Sequence, residues 1–334
     1  MSAPLSSDQH HTVLDSDLHL GLTPWHFSDL SAPSLTEQAR YAESLGYESI
    51  WLPENHFGEH ALPDPLTLLA AVAGATQNLR LGTTSYLLTL RNPLQAAEQV
   101  AVLDQLSGGR VMLGVGRGYA PDMLKAFHVP VKEKRRIFAW TLDLMRRAWA
   151  GEAVSLDGNP EHAVSVHPQP AQKPEPPLWV AAFGPKALAQ AGRLGLPYLC
   201  SPVEGLKALE ANYAAHREAA LEAGVEPPSI VPLMRTVFVS EDATLVRRLQ
   251  GELIEQRQAI PRPGAQSEAQ RNEPLEDWAI IGSPEHVREQ VERYQQALGM
   301  THLIATRLRV RDLHEAEGRE SVRLLAELLG KDKA

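Results

Sequence analysis

The sequence has 334 residues, of which 43% are hydrophobic and 22% charged, an ordinary composition for a globular protein. Its net charge of -9 excludes a nucleic-acid surface, which would need a basic stripe. Cys200 is the only cysteine, so no disulfide can form within the chain, and we expect a reducing, cytoplasmic location. No apolar run approaches the ~20 residues of a membrane span. Residues 1–17 are polar and are expected to form a flexible tail.

After this tail, predicted strands and helices alternate along the chain. Stretches rich in β-branched and aromatic residues are followed by amphipathic helical patterns, which is typical of a parallel sheet with crossover helices. Eight repeats fit a (β/α)8 TIM barrel, whereas a doubly wound fold would show a Gly-rich turn after its first strand. The predicted strands are Leu18–Thr23, Ser49–Leu52, Leu79–Leu88, Arg110–Val115, Leu178–Ala182, Tyr198–Ser201, Ile230–Val239 and His302–Leu308.

Two long stretches lie outside this alternation and are interpreted as insertions. Residues 151–176 are irregular and rich in Pro and Gly, which predicts an excursion on the surface. Residues 261–279 contain three prolines, one glycine and no periodicity. A loop of that length within a compact domain is either disordered or functional. We therefore predict a single domain over residues 18–330 with insertions.

Polar residues follow the second predicted strand directly. In parallel α/β folds the carboxyl ends of the strands face the ligand, so these residues predict a site, although a solvated loop is the simpler alternative. Two of them are histidines four positions apart, but their order is not H-E-x-x-H and a glycine lies between them, so no metal site is predicted. The polar residues are Glu54, Asn55, His56, Glu59 and His60.

Three more groups of candidate residues follow other predicted strands. The run GVGRGY at residues 114–119 has Tyr119 where the dinucleotide fingerprint needs its third glycine. Its Arg117 offers a planar fork suited to phosphate, and its glycines, including Gly118, let a ligand approach the backbone. The hydroxyls of Thr84 and Ser85 can bond a heteroaromatic edge. Gly184 and Lys186 open a predicted helix, where the lysine can reach an anion. The alternative for residues 114–119 is a tight turn, and for Thr84 and Ser85 it is an ordinary strand. For Lys186 the alternative is an exposed lysine at a helix start.

Several of these segments together resemble the bacterial luciferase-like, flavin-dependent monooxygenases. The segments are ESIWLPENHFGEH, LRLGTTSYLL, NPLQAAEQVAVLDQLSGGR, GVGRGY and IGSPEHVREQVERYQQALGMTHLI. The resemblance covers residues 18–329, and the third and fourth segments together are its most specific part. It implies an eight-stranded α/β barrel that uses reduced FMN or, in one branch, the deazaflavin F420. It also implies a mobile lid at residues 261–279.

The resemblance assigns roles by position. It places Thr84 and Ser85 under the isoalloxazine ring, often joined by a cis peptide bond, and Arg117 at the flavin phosphate. The neighbouring Gly118 and Tyr119 are included in the cofactor site. Glu54, Asn55 and His56 form the predicted catalytic set.

The sequence departs from the family pattern at two places. Asn55 stands where luciferases have a histidine with a proton-transfer role, and asparagine cannot act as a base, so light emission is not expected. At Gly184 and Ala187 the family often has hydroxyl residues that grip the phosphate. Lys186 is the candidate to replace them.

Three functional hypotheses are therefore open. The first is a monooxygenase that takes reduced FMN from a separate flavin reductase and uses O2 on a small organic substrate. The second is an F420-dependent oxidoreductase that transfers hydride. The third is a non-catalytic flavin-binding barrel. The motif E-N-H-F at Glu54–Phe57 resembles the FMN branch more than the S-D-H-F motif of the F420 branch. The helices at 64–77 and 93–106 resemble the family's dimer-forming pair and are rich in small apolar residues, which predicts a homodimer; the alternative is that they only pack onto the barrel. The sequence does not identify the substrate.

Overall fold

The computed structural model describes residues 18–26, 31–59, 61–259 and 272–331. The predicted tail, His60 and residues 261–271 of the predicted lid lie outside these ranges. Within them, one ten-stranded sheet forms, and all its strand pairings are parallel. The strands are β1 His19–Leu22, β2 Ser49–Leu52, β3 Arg80–Thr83, β4 Tyr86–Leu87, β5 Val111–Gly116, β6 Leu178–Ala181, β7 Tyr198–Leu199, β8 Pro232–Val239, β9 Ala279–Gly282 and β10 His302–Thr306.

The sheet is curled, so that its two ends approach each other. The strand order is β7-β6-β5-β3-β2-β1-β10-β8-β9, and β4 pairs with β5. Next to β7, the buried Sγ of Cys200 accepts a hydrogen bond from the N–H of Met234 in β8 (3.4 Å). No ladder of strand pairing joins β7 to β8 among the described residues. The fold is therefore an α/β fold with a curled parallel sheet, and pairing does not establish the closed eight-stranded barrel.

Ten α-helices accompany this sheet in the described ranges, and none of them is long and apolar enough to cross a membrane. Asp64, Asn92 and Ser283 each cap a helix whose first residue is proline, because their side chains accept hydrogen bonds from N–H groups of the first turn. The helices are α1 Ala32–Ser44, α2 Pro65–Ala73, α3 Pro93–Leu106, α4 Pro121–Ala126, α5 Lys134–Trp149, α6 Pro185–Arg193, α7 Leu206–Glu222, α8 Ala243–Ala259, α9 Pro284–Leu298 and α10 Glu315–Leu328.

Two predicted elements differ from the structure. The predicted strand Leu79–Leu88 is two strands, because the chain leaves its pairing with β2 after Thr83 and pairs only with β5 from Tyr86 onward. The predicted irregular loop 261–279 ends in ordered structure, with a 3-10 turn at Leu275–Asp277 and the first residue of β9. Residues 151–176 have no α-helix or long strand, as predicted, and contain a 3-10 turn at Pro160–His162 and one antiparallel bridge between Val154 and Val164.

Aromatic rings fill the inside of the curled sheet. Trp51 and Trp179 stack with centroids 4.8 Å apart, and Gly82 makes room for them, since a Cβ there would lie 2.1 Å from the Trp51 ring. At the amino end, His302 packs edge-on against Trp179 and stacks on His19. Burial, with a smaller contribution from His19, lowers the pKa of His302 to about 4. The apolar core thus closes the amino end and leaves the carboxyl ends of the strands for chemistry.

Candidate active site

The predicted site residues lie at the carboxyl ends of neighbouring strands. The hydroxyl of Thr89, just beyond β4, donates to the carbonyl of Arg117 (2.8 Å) and so joins the loops after β4 and β5. His56 lies on this rim, as predicted. The residues follow their strands as Glu54, Asn55 and His56 after β2, Thr84 and Ser85 between β3 and β4, Arg117, Gly118 and Tyr119 at the end of β5, and Gly184 and Lys186 after β6.

Glu54 is a fully buried carboxylate that fastens three parts of the rim together. Its Oε1 accepts from Arg91 Nη1 (2.9 Å) and from His56 Nε2 (2.9 Å), and its Oε2 accepts from the N–H of Leu87 (2.9 Å). Its side chain has no exposed area. Arg91 and the N–H of Leu87 can only donate, so the carboxylate oxygens of Glu54 accept from both. Glu54 therefore holds His56 in place and does not itself reach the open mouth.

Asn55 and His56 differ in what they can do. The Oδ1 of Asn55 accepts from the N–H of Leu62 (2.7 Å), and its N–H donates to the Leu62 carbonyl (3.1 Å), so it closes the loop after β2. His56 packs edge-on against Phe127 with centroids 4.8 Å apart. Because Glu54 can only accept, Nε2 of His56 carries a proton, and Nδ1 has no partner within the described ranges. No group of three metal-binding side chains occurs in the part of the chain that the structure describes.

The Thr84–Ser85 peptide bond is cis, as predicted. The hydroxyl of Thr84 is buried and has no hydrogen-bond partner among the residues that the structure describes. Such a group is uncommon in a folded protein and calls for a partner that is not part of the chain. Ser85 is also buried, with its hydroxyl against Gly116. This segment therefore has an unused hydrogen-bonding group at the rim.

Arg117 is a buried cation that bonds uncharged groups. Its Nε and Nη2 donate to Gln190 Oε1 (3.1 and 2.7 Å), and its Nη1 donates to the Ala181 carbonyl (3.1 Å). The guanidinium lies over the Phe138 ring, 4.3 Å from its centroid. Burial, and then repulsion by Arg135, lower the pKa of Arg117 to about 10. The arginine is thus fixed in place while its charge lacks a described counter-ion.

Two further cations surround Arg117. Lys134 donates to the carbonyl of Gly118 (3.3 Å), and its pKa is lowered by burial and by the charges of Arg117 and Arg135. None of the three forms an ion pair among the described residues. Three cations that repel one another destabilise the fold unless an anion is present. We call Arg117, Lys134 and Arg135 the cationic cluster.

The other predicted cofactor residues lie around the cationic cluster. Gly118 and Gly184 have φ of +70° and +75°, and Gly184 caps α6 without a side chain. Tyr119 is 63% exposed. Lys186 lines an open groove of about 640 Å³ between α5 and α6, together with Arg135, Arg136 and Arg193. The groove extends the positive charge from the buried Arg117 to the surface.

The prediction that the glycines near Arg117 clear space for a ligand is wrong for two of them. A Cβ at residue 114 would lie 2.0 Å from the Thr83 carbonyl oxygen, and one at residue 116 would lie 2.1 Å from Ser85 Oγ. Gly114 therefore makes room for the end of β3, and Gly116 makes room for the segment between β3 and β4. Their contribution to a ligand site is therefore indirect, because they let residues 83–85 pack closely against β5.

Sequence reasoning missed the residues that complete the site. Arg91 is the charged partner of Glu54, and Gln190 fixes Arg117. Phe127 follows α4, a helix that was not predicted. The run KEKRR at residues 132–136 was the one available signal for the cationic cluster, since it places four cations at the start of α5.

Comparison with known proteins identifies the family. Residues 18–302 match the family model described as luciferase-like monooxygenase. The chain belongs to this family. Proteins similar to this chain include some named as monooxygenases and some named as F420-dependent, so the family is one of flavin- or F420-dependent oxidoreductases. The resemblance found in the sequence is thereby confirmed.

Individual relatives of this family differ in cofactor. The monooxygenase RslO1 from Streptomyces bottropensis has a TM-score of 0.76 at 26% identity, over 95% of this chain and 100% of its own. The oxygenating constituent of 3,6-diketocamphane monooxygenase from Pseudomonas putida, solved with FMN, has a TM-score of 0.76 over 94% of this chain and 98% of its own; at 21% identity it shows the fold alone. The F420-dependent glucose-6-phosphate dehydrogenase of Nocardia farcinica is 29% identical over 81% of this chain and 86% of that protein.

Proposed function

We propose that this protein is a monooxygenase that uses reduced FMN and O2 to oxygenate a small organic substrate. The observation that carries the proposal is the cationic cluster at the carboxyl end of β5. A protein with a net charge of -9 repels a phosphate dianion as a whole, so a local group of uncompensated cations is what an FMN phosphate requires. Family membership supports the same assignment.

The residues at the rim fit a flavin. Arg117 holds the phosphate, with Lys186 and the turn at Gly184 on its outer side and Gly118 and Tyr119 alongside. Thr84 and Ser85 lie beneath the ring, and the unpaired hydroxyl of Thr84 suits the polar edge of an isoalloxazine. When bound, reduced flavin supplies the two electrons that reduce one atom of O2 to water while the other enters the substrate.

The loop after β2 handles protons near the reacting ring. His56 is the group that moves a proton, because Nε2 is fixed by Glu54 and Nδ1 is available. Asn55 closes the loop and cannot replace the luciferase histidine as a base, so no light is emitted. Glu54 is a positioning residue.

The test is to titrate Arg117→Ala with FMN and with riboflavin while flavin fluorescence is recorded. A charge-assisted hydrogen bond contributes roughly 1.5–3 kcal/mol, so FMN binding should weaken about ten- to a hundredfold. Riboflavin lacks the phosphate and should be affected much less. Circular dichroism checks that the variant is folded, since Gln190 loses its donor. Unchanged FMN affinity would remove the assignment and make Lys186 the next candidate.

A second candidate is F420-dependent hydride transfer. It is favoured by the glucose-6-phosphate dehydrogenase relative, which matches 81% of this chain. Offering FMN and F420 separately and measuring binding and O2 uptake separates the two, because hydride transfer consumes no O2. A flavin that binds without supporting any turnover would instead indicate the non-catalytic barrel.

We further propose that the curled sheet closes into the eight-stranded barrel across the contact between β7 and β8.

We also propose that the protein is a cytoplasmic homodimer that receives reduced flavin from a separate flavin reductase. The exposed side chains of Val102 and Leu106 on α3 support the dimer. Light scattering that gives 36.7 kDa at micromolar concentration would reject it.

A further inference from the structure

An exposed group of aromatic side chains adjoins His56. The rings of Phe57 and Phe127 stack with centroids 5.6 Å apart, and His56 meets Phe127 edge-on at 4.8 Å. Phe57 is 72% exposed and Phe127 is 38% exposed. We call His56, Phe57 and Phe127 the aromatic wall. It is built from the loop after β2 and the segment that follows α4.

The backbone holds Phe57 outward at a cost in free energy. Its φ is +64°, a conformation that a bulky side chain rarely adopts. The two hydrogen bonds between Asn55 and Leu62 close the loop around it, and the N–H of Ala61 donates to the carbonyl of Gly58 (3.1 Å). Strain of this kind concentrates at functional sites. The loop therefore presents an apolar ring to the mouth where burial would be more favourable.

Apolar side chains lie behind the wall. Met123 and Leu124 of α4 form a small cluster with Leu87 and Val129. The N–H of Leu87 donates to Glu54, which also holds His56, so the wall and the cluster share one anchor. An apolar cluster therefore adjoins the aromatic wall on this side of the mouth, while the cationic cluster lies near β5 and α6.

His56 adds one polar contact to this apolar surface. With Nε2–H donating to the Glu54 carboxylate, Nδ1 is an acceptor in the neutral form of the imidazole. Nδ1 has no partner in the described part of the chain. A ligand that stacks on the two phenyl rings would therefore complement Nδ1 of His56 if it carried a hydroxyl donor at its edge.

We propose that the aromatic wall binds the organic substrate and that the substrate is a hydroxylated aromatic compound. The ring stacks on Phe57 and Phe127, and its hydroxyl donates to Nδ1 of His56. This inference rests on the proposed monooxygenase function and names its substrate class. It excludes a sugar phosphate at this position, because a phosphate would be placed against an apolar face.

The test is isothermal titration of the FMN-loaded protein with 2-naphthol, naphthalene and glucose 6-phosphate. The parent should bind 2-naphthol more tightly than naphthalene and should not bind glucose 6-phosphate. Phe57→Ala and Phe127→Ala should each weaken 2-naphthol binding about two- to tenfold, the range expected for one aromatic contact. Leu221→Ala removes a similarly exposed apolar side chain from α7 and should change nothing. His56→Phe keeps a ring and should abolish the preference for 2-naphthol over naphthalene.

Two results would overturn the proposal: 2-naphthol binding that is unaffected in both phenylalanine variants, or binding of glucose 6-phosphate that is stronger than that of 2-naphthol. FMN titration of the same variants separates this proposal from the previous one. If FMN binds normally and the wall variants have no effect on 2-naphthol, the substrate class is wrong and the flavin assignment stands. If the parent binds no FMN, the flavin assignment fails, and the same three ligands are titrated into the protein without flavin to decide the role of the wall.

Discussion

Removal of the Glu54 carboxylate tests whether the rim is fastened as the structure indicates. Glu54→Ala leaves the guanidinium of Arg91 without its anion, although that side chain is only 17% exposed. Breaking a buried ion pair by removing one partner costs about 3–5 kcal/mol. The N–H of Leu87 and Nε2 of His56 also lose their acceptor. Because these losses share one site, they do not add, and we expect a decrease of about 3–5 kcal/mol in the free energy of unfolding.

Two further variants calibrate this value. Glu54→Gln keeps the shape but turns an amide donor toward other donors, so about 1–3 kcal/mol should be lost. Glu37→Ala removes an exposed carboxylate from its ion pair with Arg319 (3.1 Å) and should cost less than about 1 kcal/mol.

Urea unfolding followed by circular dichroism measures all three variants, provided that the m-value stays constant. A loss for Glu54→Ala no larger than that for Glu37→Ala would refute the reasoning. It would mean that Arg91 finds another partner or that water reaches the site. If stability falls as expected, FMN affinity in the same variant then shows whether the anchored rim is also needed for binding.

The remaining predictions concern three other positions. His56→Ala should keep FMN binding and slow substrate oxygenation by about 10²–10⁴-fold in stopped-flow measurements, since a general acid–base group is lost. His302 has a folded pKa of about 4, so as the pH falls from about 6.5 to 4 the unfolded state binds protons first and the parent loses stability. His302→Gln should lose less between pH 7 and pH 5 in thermal melts, and an identical slope would contradict this. Gly116→Ala places a Cβ 2.1 Å from a side-chain oxygen and should cost about 1–3 kcal/mol, whereas Gly251→Ala meets no neighbour within 4 Å and should be neutral or stabilising.

Most strands and helix starts could be predicted because their signals are local. The pairs Asp64–Pro65, Asn92–Pro93 and Ser283–Pro284 mark helix starts through the chemistry of the first turn alone, and the structure confirms all three. The break between β3 and β4 could not be predicted in this way. It depends on whether residues 84–87 pair with β2 or with β5, which the local sequence does not determine.

The sequence predicted which strand ends carry the candidate site residues. The chemistry of these residues depends on contacts between segments that are distant along the chain. Glu54 and Arg117 are both charged residues at such ends, and both are buried. The partner of Glu54 is Arg91, 37 residues away, so its charge is neutralised within the protein. Arg117 is fixed by Gln190, 73 residues away, whose amide oxygen supports the guanidinium without cancelling its charge. A buried charge without a counter-ion is costly, and we expect a bound anion to offset that cost at Arg117. Glu54 and Arg117 are equally buried, but only Glu54 has a charged partner among the described residues. This difference in pairing distinguishes the structural carboxylate from the arginine that we propose binds phosphate, and no pattern within either loop carries it.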